Sequence, residues 1–332
     1  MKRCLRVGID VTKRCNWRCK TCFYRHKDWF NTPEDKSLFD AMREVTEAKR
    51  RGCDHAVLVG WGETALWPHT IDFIKECKTI DIKTSIITNG TIGIKTYYDM
   101  YLAGLNHLHV SVHGMGDTLN RIAEKEWAAK RQAQTLDWLE SNKLPWRSNT
   151  TLQKENAGQL CETIDYIIRK GAYHIVLLGF LPHYEWGNRL KEVAVRSMDL
   201  RPNLEYCLRA IVSAGRYATL RYHPMCHLDP YLRKYVVNAR YVLYDPNEWD
   251  YGHSGDEDAK LWNAAVNEIG GAVAIKGKPC CNCTHFVHCG GFNQTYTNGF
   301  DGNDLCAIAT EIEQTPGFLH DQNPVNATAG HV

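Results

Sequence analysis

The sequence predicts an α/β fold, a parallel sheet curled toward a barrel, with a small cysteine-rich unit behind it. Three observations carry this. Short apolar, β-branched runs alternate six times with stretches of helical period between residues 5 and 181. Glycines such as Gly52, Gly104 and Gly171 stand where those helical stretches stop. Residues 279–306 are dense in cysteine and glycine and poor in apolar periodicity, a composition that needs a metal staple.

Taken in order, residues 5–11 read as a strand that runs into a cysteine-bearing loop. Residues 37–51 read as a helix, with Leu38, Phe39, Met42, Val45 and Ala48 at helical spacing. Strands are expected at 55–61, 83–88, 107–112, 146–152 and 173–181. The intervening helices are expected at 68–78 (opened by Pro68), 94–103, 124–142 and 157–170. A further helix at 203–214 ends at Gly215, and 219–226 is a short strand-like segment. Residues 227–278 look irregular, and the Pro-, Gly-, Asn- and Ala-containing tail from 315 reads as disordered. The expected domains are 1–217, 218–314 and a tail, 315–332.

Composition narrows the function. A chain of 332 residues can bury a large core, and a hydrophobic fraction of 44% is ordinary for a soluble protein. A net charge of +2 gives no phosphate-tracking surface, so no nucleic-acid partner is expected. No apolar run reaches the roughly 18 residues of a membrane helix, and no leader is evident. The fourteen cysteines are therefore read as reduced thiols of a cytoplasmic, oxygen-sensitive protein.

The most informative stretch is Arg14-Cys15-Asn16-Trp17-Arg18-Cys19-Lys20-Thr21-Cys22-Phe23. Its Cys-x3-Cys-x2-Cys spacing can hold three irons of a cubane cluster. The next cysteine is Cys53, so the fourth iron is left to an outside ligand. The competing reading is zinc, with His26 as fourth donor.

This triplet resembles that of the radical S-adenosylmethionine (radical SAM) superfamily. The resemblance implies a partial (β/α)6 TIM-like barrel with its chemistry at the C-terminal strand ends. It also implies a 4Fe–4S cluster whose open iron is chelated by S-adenosylmethionine, and release of a 5′-deoxyadenosyl radical. Gly60-Trp61-Gly62-Glu63 is similar to the family's Gly-Gly-Glu-Pro, which implies that Glu63 meets the cofactor's ammonium beside a bare backbone. Trp61 and Thr64 depart from that pattern. Thr88-Asn89-Gly90 resembles the family's turn below the cofactor. Ser111-Val112-His113-Gly114 resembles its ribose-holding motif, and Asn149 and Thr151 are further candidates for the cofactor's polar end. Each has a plain structural alternative: a solvated glutamate, a simple turn, a lone core histidine.

Cys280, Cys283, Cys289 and Cys306 resemble the SPASM extension of radical enzymes. Asn293 stands where that family has one more cysteine. The departure implies one auxiliary 4Fe–4S cluster on those four thiols, with a second cluster lost; zinc is the alternative. Cys281 is a spare. Cys226 is open to three readings: a remnant ligand, an inert buried thiol, or a hydrogen-atom donor to a substrate radical. The loop 181–188, Arg221 and His223 offer polar groups for a hydroxylated substrate.

The expected function is hydrogen abstraction from a small molecule (a sugar, aminocyclitol or nucleoside), leading to epimerisation or dehydrogenation. A reductase such as flavodoxin or ferredoxin would supply electrons. Only 14 residues precede Cys15, which favours a small molecule over a leader peptide. The alternatives are radical modification of a peptide or RNA, and a non-catalytic zinc-binding interaction protein.

Overall fold

The computed structural model describes residues 6–22, 24, 31–50, 52–182, 189–237, 274–286, 289, 291–300 and 305–309. Phe23, His26, residues 183–188 and the tail from 310 lie outside the described residues, as does most of 227–278.

The first strand, β1 (Arg6–Asp10), leads through the cysteine loop to α1 (Leu38–Arg50). Then follow β2 (His55–Val59), α2 (Thr70–Thr79), β3 (Lys83–Thr88), α3 (Ile94–Ala103) and β4 (His107–Ser111). Helices α4 (Gly116–Ala123) and α5 (Ala128–Ser141) precede β5 (Trp146–Thr151), and α6 (Leu160–Arg169) precedes β6 (His174–Leu178). The short α7 (Leu190–Val193) and α8 (Arg201–Ser213) lead to β7 (Tyr217–Arg221) and the two-residue β8 (Val236–Val237). β1 to β8 form one sheet in sequential order, and all neighbours are parallel. Among the described residues no pairing joins β8 back to β1, so this is a partial barrel open on one side. A smaller antiparallel pair, β9 (Ala274–Ile275) with β10 (Phe292–Asn293), and α9 (Gln294–Gly299) carry the cysteine-rich segment.

The expected partial barrel is borne out, and the sheet continues past its sixth strand. Tyr217–Arg221 pairs in parallel with β6 from His174↔Tyr217 to Leu178↔Arg221. The expected helix at 124–142 starts later and is preceded by another helix. Glu124 adopts a left-handed conformation, φ 51°, which ends α4 and separates it from α5.

Strand side chains alternate between two buried faces, as a parallel sheet covered by helices requires. One face, with Ile9, Leu58, Ile86, Val110, Leu177 and Leu220, packs under the helices in the main core. The other face is the barrel interior, and its floor is polar. His55, His107, His109 and His174 are buried there with Arg6 and Arg147. The imidazoles bond within the floor: His55 Nε2 to Ser85 Oγ at 2.9 Å, His107 Nε2 to His109 Nε2 at 2.8 Å, His174 Nε2 to Thr219 Oγ1 at 2.8 Å. Burial is the largest cause that holds all four histidines well below their ordinary pKa. Cationic and histidine neighbours add to it, so the floor is a neutral imidazole network. Among the described residues no helix is long and apolar enough to cross a membrane.

Candidate active site and metal centres

The cysteine loop rises from the C-terminal end of β1 and closes on itself. Thr12 bridges Asp35, Lys36 N–H donates to Val11 O at 2.9 Å, and Arg14 pairs with Asp35. Within the loop, Cys15 N–H donates to Asn31 Oδ1 at 3.0 Å and Cys22 N–H to Cys19 O at 3.0 Å. The loop is then fastened to the fourth unit. Arg18 N–H donates to Ala123 O (3.0 Å) and Lys20 N–H to Ile122 O (3.1 Å). Trp17, 3% exposed, packs on Leu119, Ala123 and Ala128 beside Cys15 and Cys19. All three thiols are half-buried. Burial, reinforced by the Glu63 carboxylate, pushes the Cys15 thiol up to about 12. Such a thiol becomes a thiolate only against a cation such as iron.

The end of β2 grips the same loop. A Cβ on Gly62 would lie 2.0 Å from Arg14 O, so only glycine fits, and Glu63 N–H donates to that carbonyl at 2.7 Å. Trp61 turns outward, 38% exposed, and stacks on Tyr24 at 5.6 Å with the Lys13 ammonium 6.0 Å from its ring. Glu63 is 2% exposed. Its Oε1 accepts from Thr88 Oγ1 (2.6 Å) and Ala65 N–H (3.2 Å), and its Oε2 from Asn89 N–H (2.6 Å). Burial raises its pKa to about 7 against the lowering effect of those three donors. A carboxylate accepts about four hydrogen bonds, so three protein donors leave one position for a ligand's ammonium.

Asn89 serves the loop as well. Its Nδ2 donates to Asn16 Oδ1 at 2.7 Å, and its Oδ1 accepts from Thr91 N–H at 3.0 Å. Gln132, from α5, donates to both Asn89 O (2.6 Å) and Ser111 O (3.0 Å), locking the ends of β3 and β4 together. Ser111 is half-buried and lies in register with Asn149 on β5. His113 Nδ1 accepts from Thr151 N–H at 3.1 Å, so its proton sits on Nε2; loss of water around the ring pulls its pKa to about 4. Its carbonyl accepts from Asn156 Nδ2 at 2.8 Å.

The structure thus joins Cys15, Cys19, Cys22, Gly60, Gly62, Glu63 and Asn89 in one hydrogen-bonded and packed unit, with Ser111, His113 and Asn149 on the next strand ends. Sequence reasoning passed over Asn16, Trp17 and Gln132 as anchoring residues. The first two stand between the cysteines themselves, which was the available signal; Gln132 had none.

The second candidate centre is a small cavity of about 20 Å³ beyond β7. Cys226, Cys280, Cys283, Cys289 and Cys306 all line it; Cys281 does not and is exposed. Two sulfurs accept backbone bonds of the kind that surround cluster ligands: Cys283 Sγ from Ile308 N–H and Cys289 Sγ from Gly291 N–H, both 3.4 Å. Asn293 caps α9 instead, accepting from Tyr296 N–H at 2.9 Å. Among the described residues no three His, Cys, Asp or Glu side chains converge on a single-ion position.

Comparison with known proteins agrees with this geometry. The family model described as the radical SAM superfamily matches residues 9–167. A PqqA peptide cyclase of Rhizobium meliloti (strain 1021) is 25% identical over 213 residues, 62% of this chain and 54% of that protein. A GTP 3′,8-cyclase of Staphylococcus epidermidis (strain ATCC 35984) is 25% identical over 172 residues, 49% of this chain and 51% of that protein. This chain therefore spans about half the length of the curated relatives it matches. Among solved structures, native anSMEcpe with bound AdoMet and Kp18Cys peptide shares the fold with a TM-score of 0.57 at 14% identity, covering 90% of this chain and 95% of that one. Cysteine loop, glutamate-bearing β2 turn and parallel partial barrel agree with that match: residues 9–167 are a radical SAM domain, of the kind that uses a 4Fe–4S cluster and S-adenosylmethionine.

Proposed function

We propose that this enzyme abstracts a hydrogen atom from a peptide substrate, and that its C-terminal pocket holds an auxiliary 4Fe–4S cluster on Cys280, Cys283, Cys289 and a fourth thiol. The cluster and S-adenosylmethionine at the barrel mouth supply the carbon radical. Cys15, Cys19 and Cys22 hold that cluster. Glu63 offers its remaining lone-pair position to the cofactor's ammonium, Gly62 keeps the backbone close, and Ser111 and Asn149 lie toward its polar end. His113 acts as a neutral acceptor that fixes the end of β4 to β5.

The single observation behind the peptide reading is the match to PqqA peptide cyclase over 62% of this chain. It replaces the small molecule as the leading substrate class. The GTP 3′,8-cyclase match supports the small-molecule reading as the second choice. Epimerisation has weaker support than oxidation, because the Cys226 thiol lines the cysteine pocket with Cys306 and Cys289 as neighbours.

The test measures 5′-deoxyadenosine formed by anaerobically reconstituted, dithionite-reduced enzyme in the presence of a cytosolic extract. Stimulation that disappears when the extract is first treated with protease is the expected result. Stimulation that survives protease would replace the peptide with a small molecule.

A further inference from the structure

Five thiols line the C-terminal cavity, while a 4Fe–4S cluster takes four. Cys280, Cys283 and Cys289 come from one short segment around the single-turn helix Lys278–Asn282. The fourth position is contested by Cys226 and Cys306. The two differ in three respects. Cys226, Cys280, Cys283 and Cys289 are all half-buried, whereas Cys306 is exposed. The Cys306 thiol donates to Cys226 O at 3.7 Å, so it is engaged with the backbone of its competitor. Cys226 sits on a pinned single turn, Met225–His227, directly after β7. Met225 and His227 beside it are buried, and His227 Nδ1 lies 2.8 Å from Ser197 Oγ.

We propose that Cys226 is the fourth ligand of the metal group in this pocket, and that Cys306 is an outer thiol packed against it. This inference rests on the reading of the pocket as a metal site. The ligand set then comes from two parts of the chain. One thiol is carried by the barrel at the end of β7, and three by the segment that follows β9. The metal group ties the cysteine-rich segment to the barrel and fixes its distance from the radical site. That tie suits a segment whose own apolar cluster among the described residues is small, built on Phe292, Tyr296 and Leu305.

The experiment uses the full chain with Cys15, Cys19 and Cys22 all changed to Ala, so that bound metal reports the pocket alone. Iron, sulfide and zinc are counted after anaerobic reconstitution, and electron paramagnetic resonance spectra are recorded on oxidised and reduced samples. This background is expected to hold about four irons. Adding Cys226→Ala should drop the count to three or fewer, with a 3Fe–4S signal or none, while Cys306→Ala keeps the background count. Cys226→Ser should shift the spectrum of the reduced cluster, which a thiol outside the ligand set would not do. Circular dichroism checks that each variant is folded. Full iron and an unchanged spectrum in Cys226→Ala, with loss in Cys306→Ala, would overturn the proposal and return the fourth position to Cys306. A background with neither iron nor zinc would instead sink the metal reading of the pocket, and this inference with it.

Discussion

The cysteine loop at the barrel mouth and the cysteine pocket beyond β7 present the same donor atoms, yet they are organised by different forces. The loop is set by the barrel before any metal arrives. Its Arg14 carbonyl accepts from Glu63 N–H, its Arg18 and Lys20 N–H groups donate to the Ala123 and Ile122 carbonyls, its Asn16 accepts from Asn89, and its Trp17 is seated on α4 and α5. The pocket has two-residue strands, one short helix and a small aromatic cluster. If the pocket holds the proposed metal group, the difference separates a metal that is a cofactor on a finished scaffold from one that is part of the scaffold. In the first case, removing a ligand ends chemistry and leaves structure. In the second, removing the proposed metal would open the fold itself.

The largest effect tests that separation directly. Cys19→Ala should take 5′-deoxyadenosine formation to background while the pocket keeps its iron and the barrel its melting temperature. Cys283→Ala should do the reverse, losing pocket iron and making residues 274–309 protease-sensitive while cofactor cleavage persists. Loss of cofactor cleavage in Cys283→Ala would break the comparison, because the two centres would then not be independent.

Acid provides the next largest effect, and it acts on the barrel that carries the loop. His55, His107, His109 and His174 have folded pKa values well below the ordinary 6.5. A depressed folded pKa means the unfolded chain binds more protons. The stabilisation is therefore present above pH 6.5 and declines as pH falls below it. Each histidine contributes a slope of up to about 1.4 kcal/mol per pH unit. Urea titrations of metal-free protein at pH 7.5 and 5.5, followed by far-UV circular dichroism, should show a large fall. Equal stability at both values would mean that the floor is already open to protons in the native state.

Trp17→Ala removes the apolar seat of the loop. Truncating a fully buried tryptophan costs about 3–5 kcal/mol, and the loss should appear as a lower melting temperature together with weaker iron retention at the first site. No single residue of the pocket should show a comparable effect in metal-free protein. If Phe292→Ala cost the metal-free chain as much, the pocket would have a scaffold of its own and the contrast would fade.

Most of the fold was legible because it is written in local pattern. Ile9, Leu58, Val110 and Leu177 alternate with their neighbours, and Gly52, Gly104 and Gly171 end turns with φ values of 83° to 116°. What escaped was set by tertiary contact. Glu124 breaks a continuous helical pattern through its own left-handed backbone, which no periodicity marks. Tyr217–Arg221 looked like the start of a new unit because the repeat before it is interrupted by an extra helix. The His/Arg floor was hidden in an ordinary strand alternation, since the pattern His107-x-His109 gives the spacing of a face and not which face it is. The site was legible in its metal donors and in Glu63, which chemistry restricts to few residue types. Gln132 was not, because a glutamine on a helix becomes an anchor only when two strand ends are brought to it.

Glu63→Gln has the smallest expected effect and separates two roles that the geometry superimposes. Oε1 faces the Thr88 hydroxyl and Ala65 N–H, and Oε2 faces Asn89 N–H. A glutamine amide must turn its NH2 toward one of these sides, opposing a donor with a donor. That alone costs about 1–3 kcal/mol of stability, whether or not a cofactor ever binds. Removing the charge would also remove the anionic partner proposed for the cofactor's ammonium. A hydrogen bond to a charged group is worth about 1.5–3 kcal/mol, so the dissociation constant for S-adenosylmethionine should rise roughly 10- to 100-fold. Equilibrium binding and thermal melting must therefore both be measured. A fall in melting temperature with unchanged affinity would make Glu63 a clamp between β2, β3 and the cysteine loop and nothing more. Weakened binding beyond what the melting shift explains would show that its remaining lone-pair position is spent on the ligand, and that the same carboxylate which fastens the loop also reads the cofactor placed on it.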